Sequence, residues 1–124
     1  MASRVSEAGG VTLLLPLPPS KNAEPNGRHW SKQHNFKQWW AWSAHEEWAS
    51  KGRLRFDHVT IEPVFYTSRL RDEDNLLGMS FKGIVDGLKG HLMPDDKPKH
   101  MTLLAPRQVK VPRAETRLEL VIRV

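Results

Sequence analysis

From about Ser31 to Ser50 apolar side chains return every four residues. Phe36, Trp40, Ala44 and Trp48 form one stripe, and Trp39 and Ala41 widen it. That spacing predicts a helix, with Gly52 at its end. A second helical pattern runs from about Asp74 to Lys89, with Leu77, Phe81, Ile84, Val85 and Leu88 on the buried side. Gly90 stands where a helix C-terminus prefers glycine. The remaining apolar segments read as strands. "VTLLLPL" (11–17) is stopped by Pro18-Pro19, because proline cannot donate to a ladder or enter a helix interior. "HVTIEPVFY" (58–66) is rich in β-branched and aromatic residues, and its Pro63 predicts an edge position or a bulge. "HMTLLA" (100–105) is a further strand. In "TRLELVIRV" (116–124) apolar and charged residues alternate. "SKNAEPNGRHW" (20–30) is a polar loop of turn formers. The order is β-α-β-α-β-β, an α+β single domain over residues 11–124 with two helices packed on a mixed sheet. Residues 1–10 read as a flexible N-terminal tail.

Composition narrows the class. The 124 residues suit one domain, and 39% apolar with 27% charged residues fits a globular protein. No apolar run approaches the roughly 20 residues of a membrane span. The opening "MASRVSEAGG" has no signal-peptide core, so a cytoplasmic protein without a membrane partner is expected. Cysteine is absent, which excludes disulfides, thiol catalysis and thiolate metal sites. Any metal must be held by oxygen or imidazole. The histidines, His29, His34 and His91 among them, lack zinc-site spacing joined to other ligands. His91, near an acidic turn, is a candidate proton shuttle. A sequence pI near 9.8 points to an anionic partner, nucleic acid first, although many small soluble proteins are also basic.

The charge is segregated. Residues 1–56 hold 8 basic and 4 acidic groups, residues 57–96 hold 4 and 8, and residues 97–124 hold 7 and 2. An acidic island between basic flanks suits a protein that grips a polyanion and holds a divalent cation against it. Asp72 and Asp74 lie just before the second helix, and Asp95 and Asp96 lie just after it. For these carboxylates to share an ion, segment 91–96 must fold back along the helix. Such a site would take Mg²⁺, a hard cation bound by one or two carboxylates plus phosphate oxygens. Lys82 would then stabilise charge on the phosphate. The ordinary alternatives are helix caps at Asp72–Asn75, a plain turn at Asp95–Asp96, and a surface pair between Lys82 and Asp86.

"RDEDN", "FKGIVDGL" and "MPDD" in succession resemble the RusA family of Holliday junction resolvases, many of them phage-encoded. "LPLPPSKN" (15–22) resembles that family's opening strand and loop. The likeness covers about residues 11–96 and is strongest over 71–96. It implies a RusA-like fold and a homodimer that resolves four-way DNA junctions by paired symmetric nicks, in DNA recombination and repair. It implies Mg²⁺, for which Mn²⁺ would substitute, and no small-molecule cofactor. Asp72, Asp74 and Asp96 match the family's metal-binding aspartates, Lys82 the catalytic lysine, and Arg71 the basic residue before the first aspartate. One departure is clear: the family lysine position falls on Gly78 here, and Lys82 comes one helical turn later.

Arg69, Lys21, Asn22, Arg28, Lys32, Lys97 and Lys99 would hold the DNA backbone without reading sequence; solvated surface charge is the plain alternative. All five tryptophans fall between positions 30 and 48. The spacing of Trp40 and Trp48 predicts core or dimer interface, and Trp30 is the one placed to touch DNA. Besides a metal-dependent endodeoxyribonuclease, two other readings stay open: a non-cleaving DNA-binding module of the same fold, and a flap or RNA nuclease.

Overall fold

A computed structural model describes residues 10–25 and 30–124, apart from the side chains of Asn22 and Trp30. The expected tail therefore lies outside the described residues, except Gly10. That residue is not tail: it is buried, and a side chain there would strike the Ile122 carbonyl.

The chain forms β1 (Val11–Leu15), α1 (Trp30–Ser50), β2 (Val59–Thr67), α2 (Met79–Leu88), β3 (Met101–Leu103), β4 (Arg107–Lys110) and β5 (Arg117–Arg123). It is a single α+β domain with a mixed sheet and two helices. One strand was not foreseen. β4 has a single apolar residue, Val109, and lies between Pro106 and Pro112, so it shows no alternation to read. In the sheet β5 is antiparallel to both β1 and β2, with Leu120 opposite Leu13 and Pro63. β3 and β4 both run parallel to β2, β3 along its first half and β4 along its second.

Pro63 is thus in an interior strand rather than at an edge. Ile61 and Thr67 turn their carbonyls toward β3 and β4, accepting N–H groups from Leu104 and Val111. Alternation along the strand turns Pro63 the same way. Its nitrogen faces the break between β3 and β4, where no partner needs a donor.

Alternate strand positions feed one core. Val11, Leu13 and Leu15, then Val59, Ile61 and Phe65, then Leu118, Leu120 and Ile122 pack with Trp40, Ala44, Trp48, Phe81, Ile84, Val85 and Leu88. Trp40 and Trp48 are core residues, as the four-residue spacing predicts. Trp39 does not widen the stripe; it is 48% exposed, and Trp42 is 59% exposed. α1 also covers the sheet edge, where Glu47 Oε2 accepts the Leu14 N–H at 2.7 Å.

The helices touch through glycine. A Cβ at Gly83 would lie 2.6 Å from the Lys37 carbonyl oxygen, and one at Gly87 would be closer still to that of Ala41. Two glycines four residues apart on one face of α2 let the helix backbones meet. Their lower helix propensity, costing about 1 kcal/mol each relative to Ala, is the counterpart of that approach. Gly87→Ala should lower stability by about 1–2 kcal/mol, overpacking outweighing the propensity gain. Urea unfolding checks this, and a variant as stable as the parent would show that the helices do not pack this closely.

Candidate functional site

The acidic turn leaves the end of β2. Asp72 has extended backbone and precedes a 3-10 turn, Glu73–Asn75, but its side chain makes no capping hydrogen bond. Asp72 and Asp74 are exposed, and among the described residues neither carboxylate has a hydrogen-bond or ion-pair partner. They do not cap the second helix. α2 starts at Met79 rather than near Asp74, with Gly78 as its N-cap. Its first N–H groups, those of Met79 and Ser80, donate to Glu24 Oε1 and Oε2 at 2.8 and 2.9 Å. Sequence reading missed Glu24, because one acid in a polar loop carries no sign of the distant helix it caps. A Cβ at Gly78 would strike this carboxylate, so a larger residue there would require the Glu24 side chain to shift.

Arg71 anchors the turn from behind. Its backbone N–H donates to Gln108 Oε1 at 2.9 Å, and its carbonyl accepts from Gln108 Nε2 at 2.7 Å. Its guanidinium donates to the Pro18 carbonyl at 2.8 Å, and burial pulls its pKa down. Arg71 therefore ties the Pro-Pro-Ser loop and β4 to the residue before Asp72. Gln108 lies in the strand the sequence did not reveal. At the end of β2, Thr67 Oγ1 is buried without a hydrogen-bond partner among the described residues. Arg69, Ser20 and Thr67 border a small groove beside this turn.

Lys82 has no carboxylate within ion-pair distance among the described residues; Asp86 instead faces Lys37 and Lys89, each at 3.7 Å. The surface pair between Lys82 and Asp86 is not formed. Lys82 and Lys21 border one open cleft with Gln33 and Lys37 of α1. The 3-10 turn carrying Lys21 (Lys21–Ala23) packs against Glu73–Asn75, so the cleft opens beside the acidic turn. Arg28 and His29 lie outside the described residues, as do the side chains of Asn22 and Trp30.

Asp95 and Asp96 do not return. Residue 101 pairs with Val59 at the start of β2, whereas Arg71 is fixed to Gln108, opposite Phe65 near its end. Six residues of strand, about 20 Å, separate the two levels. The fold-back of 91–96 is thereby corrected: in one chain Asp96 is remote from Asp72 and Asp74. Among the described residues, no three His, Asp or Glu side chains are grouped to hold a metal ion. Asp95 accepts the Asp96 N–H at 2.8 Å. Hydrogen bonding to Asp96 holds the Asp95 carboxyl below its usual range, aided by Lys97 and Lys89. Asp96, Lys97 and Lys99 are exposed.

His91 lies at this end too, stacked on His45 with ring centroids 4.6 Å apart and near Trp48. Burial lowers its pKa first, then the charges of His45, Arg55 and Arg53.

Mg²⁺ takes one or two protein carboxylates beside phosphate oxygens and water, and Asp72 and Asp74 are exposed carboxylates without a partner among the described residues. Asp72 and Asp74 would hold it; Asp96 of the same chain does not fit that group.

Two stability measurements test the scaffold. Glu24→Ala should destabilise the fold by about 1–2 kcal/mol through the uncapped start of α2. Thr67→Val should raise stability by about 1 kcal/mol, since it removes an unsatisfied buried hydroxyl. Thermal or urea unfolding reads both, and a loss of stability in Thr67→Val would mean the hydroxyl has a partner.

Comparison of the chain with protein-family models and with curated proteins gives no match in either.

Proposed function

We propose that this protein is a Mg²⁺-dependent, structure-selective endodeoxyribonuclease of the RusA type that acts as a homodimer on four-way DNA junctions in the cytoplasm. The observation that carries the reading is the turn at Asp72–Asp74. Among the described residues its two carboxylates have no partner; Arg71 holds the turn from behind, and a lysine-lined cleft opens beside it. Exposed carboxylates without a protein partner are free to take a hard cation beside phosphate oxygens and water. The ordered motifs at 71–75, 81–88 and 93–96 support the same reading.

Each side chain has a role that follows from its place. Asp72 and Asp74 bind the cation, which when bound polarises the phosphodiester and lowers the pKa of a coordinated water. Lys82 stabilises charge developing on the phosphate. Arg71 is a positioning residue for the acidic turn. Lys21, Arg69, Lys97 and Lys99 hold the backbone without reading bases. The separation of Asp96 adds a requirement: a shared third carboxylate comes from Asp96 of the partner subunit, so that the dimer completes its sites. A two-fold axis makes that exchange reciprocal and gives two sites for two strands.

A non-cleaving DNA-binding module is the second reading, favoured by the separation of Asp96 within one chain. The parent should nick a synthetic four-way junction symmetrically in Mg²⁺ or Mn²⁺. Asp74→Asn should lose about 100-fold or more in rate, while binding holds or tightens as a repulsion with phosphate is removed. A 1:1 mixture of Asp74→Asn and Asp96→Asn subunits should regain single nicks at about a quarter of the parent rate, since about half of the dimers are mixed and one of the two sites in each stays intact. Junction binding without cutting in either metal would leave the binding module. No recovery in verified mixed dimers would refute the shared site.

A further inference from the structure

We propose that the cleft between the start of α1 and the start of α2 is a track for one sugar-phosphate strand, with Lys37 and Gln33 of α1 as contacts beyond the acidic turn. This rests on the nucleic-acid reading above and adds residues that no motif marks. The cleft encloses about 660 Å³ and is bordered by Lys21, Glu24, Gln33, Lys37 and Lys82. Gln33 and Lys37 stand one helical turn apart on the same face of α1, about 6 Å between their Cβ atoms. Lys82 and Lys21 come from the other elements that border it. Among the described lining residues Glu24 is the one carboxylate, and its two oxygens already accept the Met79 and Ser80 N–H groups. It therefore caps α2 and leaves Lys21 and Lys82 without an ion-pair partner among the described residues.

Lys37 does face Asp86 at 3.7 Å, but both side chains are more than two-fifths exposed. An exposed pair of that kind is weak and yields to a phosphate. Among the described lining residues there is no aromatic ring on which a base would stack; the apolar part is Pro25, Leu77 and Met79. The chemistry is that of a polyanion's backbone, read without sequence, and does not suit a mononucleotide held by its base. Because the cleft opens beside the Asp72–Asp74 turn, a strand in it would run on from the phosphate at the carboxylates.

The test is binding of a fluorescent four-way junction by anisotropy in EDTA, so that nothing is cut, across a salt series. Lys37→Ala should weaken binding several-fold and reduce the slope of log K against log[salt] by about 0.9. Lys37→Arg should restore the slope, and Gln33→Ala should weaken binding with the slope unchanged. Lys51→Ala, at the far end of α1, should match the parent. A Lys37→Ala slope equal to the parent's overturns the track, even if the parent cuts junctions. A parent that binds but never cuts overturns the nuclease reading and leaves the track standing. Binding of inorganic phosphate or a mononucleotide in place of DNA overturns the track.

Discussion

The approach of two helix backbones at Gly83 and Gly87 is the constraint on which the functional surface depends. With no Cβ on that face, α2 settles directly against the carbonyls of Lys37 and Ala41. The position of α2 then sets everything attached to it. Its first turn reaches the Glu24 carboxylate, Lys82 comes to border a cleft shared with Lys37, and the Asp72–Asp74 turn is held at the end of β2. Larger residues at either glycine would move α2 outward and widen the cleft that the two lysines border.

Much of this architecture was legible from residue spacing. The stripe of Phe36, Trp40, Ala44 and Trp48 marked α1, and Gly90, with φ of 81°, marked the end of α2. Features decided by distant partners were not legible. The start of α2 was placed too early because local Asp and Asn residues imitate a cap, whereas the real acceptor is Glu24, 55 residues away from Met79. β4 escaped because it is short, polar and bounded by prolines, and it exists by pairing with β2. Pro63 reads as an edge or bulge position, but a proline's missing donor is tolerated wherever no acceptor faces it, and a break in the neighbouring strand serves as well. For the candidate site, the motif located the aspartates and Lys82, but local sequence could not give the course of segment 91–96.

That course changes what the acidic residues can do. Asp95 is turned onto the Asp96 backbone and held by nearby lysines, while Asp96 is exposed at the start-of-β2 end of the domain. Asp72 and Asp74 stand at the other end. A chain carrying its carboxylates at both ends cannot gather them round one ion by itself.

The carboxylate of Glu47 on the Leu14 N–H bears on how the sheet meets other copies of the chain. It occupies a donor on the outer border of β1 and obstructs strand addition from that side. The opposite border is split between β3 and β4 and flanked by Pro106 and Pro112, so it offers no long run of free donors either. Lateral growth of the sheet from copy to copy is therefore disfavoured on both sides. The fold itself thereby closes the route by which sheets extend from copy to copy into fibres.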